Sequence, residues 1–192
     1  MEQGLLTMGR PTTRFSGMVD VTFGENVTVV QPVNLYGCNI GDDVFIGPFV
    51  EIQRGAVIGK RSRIQSHAFV CELVTIGDDC FISHGAMFIN DLFATGGPAM
   101  GRHELWRSTK LGNHVSIGTN ATILPVSICD RVVIGAGAVV TKDILEPGIY
   151  AGNPARLLRR LYVPFPKVHY EVKMPSQSKE GDNEEGLSAA DD

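Results

Sequence analysis

No run of apolar residues in this chain approaches the roughly 20 that a membrane-crossing helix needs, so no such span is expected. The opening segment MEQGLLTMGRPTTRF lacks a basic stretch followed by an apolar one. With no secretory signal in view, the expected location is cytoplasmic. Paired cysteines are missing too. Cys38, Cys71, Cys80 and Cys129 show no C-x-x-C spacing, which argues against a zinc site or a disulfide framework and for small buried hydrophobes. The Asn26-Val-Thr28 and Asn120-Ala-Thr122 sequons carry little weight without a signal segment. Excess positive charge is also lacking. The formal net charge is −4, but residues 175–192 hold six acids and one lysine, leaving the remainder near neutrality. No basic face suits nucleic acid. The aromatic-free acidic tail reads as disordered.

What the chain has is a beat of six. Ile40, Ile46, Ile52, Ile58 and Ile64 are followed by Val70, Ile76, Ile82 and Phe88 at the same interval. Val21, Val27 and Val33 extend it backward, with one extra residue before Ile40. It resumes at Leu111, Ile117 and Ile123, then shortens by one residue into Ile128, Ile134 and Val140. Four positions after each beat stands a small or aliphatic residue such as Val44, Ala56, Ser62 or Cys80. Period six fits neither an amphipathic helix nor a long flat strand. It fits a chain that runs briefly extended, turns and repeats, with Gly and polar pairs such as Asp42-Asp43 forming the turns. β-branched residues and recurrent Gly argue against helix. Three six-residue sides close one coil of eighteen, and stacked coils make an all-β parallel β-helix.

The run from about Val21 to Leu161 resembles the hexapeptide-repeat family, which implies that the coil is left-handed. The ending VVIGAGAVVTKDILEPGIYAGNPARLLRR resembles the closing coil of that family's acyl-CoA-dependent transferases. The stretch ISHGAMFINDLF, with Phe88-Ile89-Asn90 before a long interruption, is similar to N-acetyltransferases acting on nucleotide-linked amino sugars. The expected organisation is a lead-in over 1–20, a β-helix domain over 21–160 and an extension over 161–192. A loop over 90–110 is extruded from the domain, and AGNPARLLRRLY is expected to end it as a short helix over the open core. The resemblance implies acetyl-CoA as co-substrate, a homotrimer with sites between adjacent subunits, a nucleotide-linked amino sugar as acceptor, and no metal.

Amide formation needs an unprotonated amine, a base and donors for the oxyanion. His84 is the first candidate for the base, because imidazole exchanges protons near neutral pH. Asn90 would orient the amine, as the family motif implies, and Glu72 would hold the ammonium. His67, seventeen residues before His84, is expected near it on the neighbouring coil. Asp91, Arg102 and Trp106 belong to an aromatic and basic loop suited to clasping a nucleotide sugar. Gly118, Gly135, Ala136 and Gly137 keep the surface low for a pantetheine arm, and by resemblance Lys142 and Arg156 would meet CoA phosphates. The G-x-G of this segment follows no βαβ pattern, which argues against a dinucleotide site. A γ-class carbonic anhydrase would place three zinc-binding histidines where this chain has Cys71, His84 and Ile89, and Ile cannot ligate zinc. The remaining alternatives are a serine or xenobiotic O-acetyltransferase and a non-catalytic scaffold.

Overall fold

The computed structural model describes residues 17–161. Residues 1–16 of the expected lead-in over 1–20 and the acidic tail lie outside the described residues, and the rest of the lead-in already holds the strand Met18–Val19. The chain winds as a three-walled parallel β-helix. The first wall has seven strands, from Met18–Val19 to Val139–Val140. The second has six, from Thr22–Phe23 to Ser127–Ile128. The third has eight, from Thr28–Val29 to Arg156–Arg160. The handedness expected from the resemblance is consistent with this architecture.

The beat of six is the interior. From Ile40 onward each beat residue points inward from a two- or three-residue strand, and the next coil sets an equivalent residue directly above it. Before Ile40 the register places Phe23, Val29 and Leu35 beneath Ile40, Ile46 and Ile52, so Val21, Val27 and Val33, expected to carry the beat, take corner positions instead. In the third wall Ile46, Ile64, Ile82, Ile117 and Ile134 are all 1% exposed or less. Small residues four positions later line the inside of the corners, where Ala56, Ala86, Ala121 and Ala138 are fully buried. A bulkier side chain there would have no volume to occupy. Ser62 takes one of these corner positions without an orphaned polar group. Its hydroxyl donates to the Gly77 carbonyl at 2.9 Å and accepts from the Cys80 N–H at 3.0 Å.

Coil length is visible in the register. Phe69 pairs with Glu51 below and Met87 above, 18 residues away in each direction. Met87 then pairs with Thr122, 35 residues on, so 17 extra residues leave the coil and return in register. Thr122 pairs with Val139 at an interval of 17, which is the residue dropped beside Pro125. The expected loop over 90–110 is slightly shorter in fact, because Thr109–Leu111 is already a strand of the second wall.

The C-terminal helix expected from AGNPARLLRRLY does not form. Arg156–Arg160 is a strand, antiparallel to Gly148–Ala151 in the third wall. Five residues are too few to offset helix nucleation, whereas the last strand of the wall offers a free ladder of backbone donors and acceptors.

The edge joining the second and third walls carries stacked charges. Arg61 forms a bidentate pair with Asp79 at 2.8 Å for both contacts, and Lys60 Nζ lies 2.8 Å from Asp42. The hydrogen bond from Arg61 holds the Asp79 carboxyl below its ordinary pKa, and Lys60 does the same for Asp42. Carboxylates depressed in the folded state contribute stability above their unfolded pKa and lose it as pH falls through the folded one. Denaturant titrations should therefore show stability falling below about pH 4. Arg61→Ala should cost about 0.2–1 kcal/mol at pH 7 and flatten that acid limb. In the interior, Ile82→Ala should cost about 2–5 kcal/mol, read as a lower urea midpoint at unchanged slope.

Candidate active-site cleft

Corners recur every coil, so side chains 18 residues apart stack along an edge. Glu72 and Asn90 are such a pair, on the edge between the first and second walls. The Asn90 side-chain N–H donates to the Glu72 carbonyl at 3.2 Å, and no described residue donates to Asn90 Oδ1. The backbone carbonyl of Asn90 accepts from the Arg107 N–H at 2.9 Å, which ties the excursion's exit to its return. The excursion therefore stands over this edge and encloses a cleft of about 430 Å³. Its lining includes Tyr36, Gln53, Glu72, Asn90, Asp91 and Trp106.

The cleft's polar groups are held from below. Glu51 accepts from Gln53 at 2.8 Å and from Asn34 at 3.0 Å. The Tyr36 phenol is raised above its ordinary pKa by burial first, then by Glu51 and Glu72, so it remains a neutral donor. Burial also pushes the Cys71 thiol up to about 12, which excludes a thiolate nucleophile at neutral pH. Asp91 uses both carboxylate oxygens on its own loop, accepting from Phe93 N–H at 2.9 Å and Ala99 N–H at 2.7 Å. Arg102 Nε donates to the Ala99 carbonyl at 3.2 Å, within the same loop.

His84 lies on a different edge, between the third and first walls. Its Nδ1 is 2.7 Å from Ser66 Oγ, eighteen residues earlier. His67, seventeen residues earlier, is instead stacked on Phe49 with ring centroids 4.8 Å apart. The expected partnership of the two imidazoles misses by one residue, because the coil here is eighteen long.

Gly118, Gly135, Ala136 and Gly137 share the His84 edge. Gly118 is glycine for a packing reason: a Cβ there would come within 2.5 Å of the Ala136 nitrogen on the next coil. Gly137 has φ +66° and open space around it, so that corner is both left-handed and low. Arg156 pairs with Ala151, which stands directly over Gly135, at the head of the same edge. Lys142 does not join them. It lies between Val140 of the first wall and Ile144, which bridges to Ile128 of the second.

One imidazole unassigned from sequence does reach the cleft's mouth. His103, in a single 3₁₀ turn over His103–Leu105, has Nδ1 3.7 Å from Glu72 Oε2. Its ring packs on Trp106 at 4.3 Å. Tyr36 and Gln53 were also unassigned; the register stacks Gln53 on Tyr36 at an interval of seventeen, in the column beside that of Glu72 and Asn90. Among the described residues no group of three or more His, Cys, Asp and Glu is arranged to hold a metal ion. No described helix is long and apolar enough to cross a membrane.

Two stretches match repeat families: residues 37–72 match the bacterial transferase hexapeptide (six repeats), and residues 108–142 the hexapeptide repeat of succinyl-transferase. The chain belongs to the hexapeptide-repeat family. Within that family it is similar to the bifunctional protein GlmU of Clostridium beijerinckii, 33% identical over 68% of this chain and 30% of the relative. It is also similar to galactoside O-acetyltransferase of Escherichia coli, 34% identical over 73% of this chain and 64% of the relative. The chain thus spans about a third to two thirds of the length of these curated relatives. Among solved structures it resembles a mutant of AntD, an N-acyltransferase from Bacillus cereus in complex with dTDP and coenzyme A. That match has a TM-score of 0.59 and 24% identity, covering 73% of this chain and 84% of the other.

Because Asp91 fastens the excursion to itself, Asp91→Ala should raise amide exchange at Phe93 and Ala99 by about 10- to 100-fold. Exchange elsewhere in the β-helix should stay unchanged, as followed by hydrogen–deuterium exchange.

Proposed function

We propose that this chain is an acetyl-CoA-dependent N-acetyltransferase acting on the amino group of a UDP- or dTDP-linked hexose, for surface glycan or polysaccharide assembly. It would work as a cytoplasmic homotrimer. The observation that carries the reading is the cleft under the excursion, where a carboxylate and an unfilled amide oxygen stand beside the chain's only tryptophan. Glu72 and Asn90 Oδ1 are acceptors suited to an ammonium, and Trp106 offers a face for a sugar ring. The low edge of Gly135, Ala136 and Gly137, headed by Arg156, suits a pantetheine arm and its phosphates. The N-acyltransferase of similar fold that binds dTDP and coenzyme A supports the same pairing of ligands.

The chemistry asks little more of the protein. The acceptor ammonium loses a proton to a base, for which His84 is the proposed residue. The free amine attacks the thioester carbonyl, N–H groups of the Gly-rich corners stabilise the oxyanion, and the C–S bond breaks to release CoA. The galactoside O-acetyltransferase relative supports a second reading, with a hydroxyl in place of the amine.

The deciding assay is thiol release from acetyl-CoA with 3-amino and 4-amino UDP- and dTDP-hexoses, and with a galactoside as hydroxyl acceptor. Turnover on an amino sugar is expected, with His84→Ala lowering kcat by about 10²- to 10⁴-fold while the fold is kept. Transfer to the galactoside alone would select the O-acetyl reading. Full kcat in both His84→Ala and Asn90→Ala would reject these site residues.

A further inference from the structure

The cleft has two chemically different ends. It crosses four successive coils, from Tyr36 through Gln53 and Glu72 to Asn90. Coils stack at the ordinary strand spacing of ~4.8 Å, so it runs about 14 Å along the edge. That suffices for a hexose ring followed by a diphosphate. At the upper end stand Glu72, Asn90 and Trp106, with His103 behind Glu72. No Lys or Arg lines the cleft, and its charged lining groups, Glu72 and Asp91, are both acidic. A diphosphate is thus disfavoured at that end.

Arg54, outside the lining residues, reaches toward the lower end from the coil of Gln53. It lies eighteen residues before Glu72, so it occupies the same corner one coil below. Its side chain lies across Gly37, where a Cβ would come within 3.1 Å of Arg54 Cγ. Gly37 thereby leaves the guanidinium stem room beside Tyr36, whose phenol senses the Arg54 charge. Arg54 is exposed and makes no hydrogen bond or ion pair with the described residues. The other exposed arginine corner of this coil, Arg61, is fully engaged with Asp79. An uncommitted guanidinium beside a neutral phenol is suited to a phosphate, which it can meet through two parallel N–H donors.

We infer that the cleft holds its acceptor in one orientation, with the protonated amino-sugar ring between Glu72 and Trp106 and the nucleotide's diphosphate on Arg54. This rests on the amino-sugar reading above and adds to it the polarity of binding and a specificity residue, Arg54. Glu72 distinguishes ammonium from hydroxyl by charge.

The single tryptophan makes binding readable without catalysis, since emission from Trp106 reports on the cleft alone. Titrations would use four probes: a dTDP-linked 4-amino hexose, its 4-hydroxyl counterpart, the free 4-amino hexose and dTDP. Arg54→Gln is expected to weaken both dTDP-linked sugars by about 10- to 100-fold and leave the free amino sugar unchanged. Arg54→Lys should recover part of the loss. Glu72→Gln should cut the preference for amine over hydroxyl by about tenfold or more, in free and linked forms alike. The orientation is overturned if Arg54→Gln weakens free and linked sugars equally, if Glu72→Gln leaves the amine preference intact, or if no probe changes the emission. Thiol release measured in parallel separates the two claims. Binding with these dependences but no transfer would reject acetyl transfer and keep the orientation. Transfer without them would reject the orientation and keep the activity.

Discussion

Everything in this molecule depends on one coil lying on the next at strand spacing, with backbone hydrogen bonds running between coils rather than within them. The Gly41 N–H meets Ile58, and Gly59 meets Ile76, each at 2.8 Å. Every position then inherits the environment of the position one coil below. An interior site must be apolar in coil after coil, or a cavity opens that the rigid neighbours cannot close. A corner that turns left-handed must do so repeatedly, which is why Phe49, His67, Gly85, Asn120 and Gly137 all have positive φ on one edge. Residues without a Cβ penalty are not required at each of them. The stack itself over-determines the conformation.

The same constraint decides where chemistry can sit. The interior is dry and filled, and each wall strand offers only one or two outward side chains per coil. Corners are left, and the three edges have been used differently. The second–third edge is a ladder of alternating charges that answer one another. The third–first edge is kept low above His84 by Gly118, Gly135 and Gly137. The first–second edge carries the excursion, which makes the surface concave there. Seventeen residues leave and return without disturbing the register of Thr122 on Met87, so the pocket is added at little cost to the stack.

Much of this was legible in the sequence because period six leaves little freedom. The inward ladder, the shortened coil beside Pro125 and the excursion all follow from counting. Counting failed where another force took over. The C-terminal residues read as a capping helix, but an unpaired strand edge beside them outweighed a five-residue helix propensity. His67 and His84 read as partners at an interval of seventeen, while the local coil is eighteen and sets Ser66 under His84. Arg54, Glu72 and Asn90 share a column at intervals of eighteen, yet only the last two departed from the beat conspicuously enough to be noticed. His103 had no periodic signal at all. Its approach to Glu72 depends on the path of the excursion, which no repeat dictates.

The division of groups between two edges constrains any mechanism. Glu72, Asn90 and Trp106 stand on one edge, and His84 with the low glycine corner on another, with the strand Met87–Phe88 running between the two corners. Two edges of one triangular prism point away from each other. An acceptor lying in the cleft therefore faces outward, in a different direction from the imidazole of its own chain. Either the base for that acceptor is local, and His103 is the imidazole available there, or it belongs to an edge presented by another copy. The proposed homotrimer would supply the second arrangement by setting one copy's third–first edge against another's first–second edge. On that view the excursion does two jobs with one insertion. It walls the acceptor cleft of its own chain, and it sets the distance at which a neighbour's His84 edge can approach.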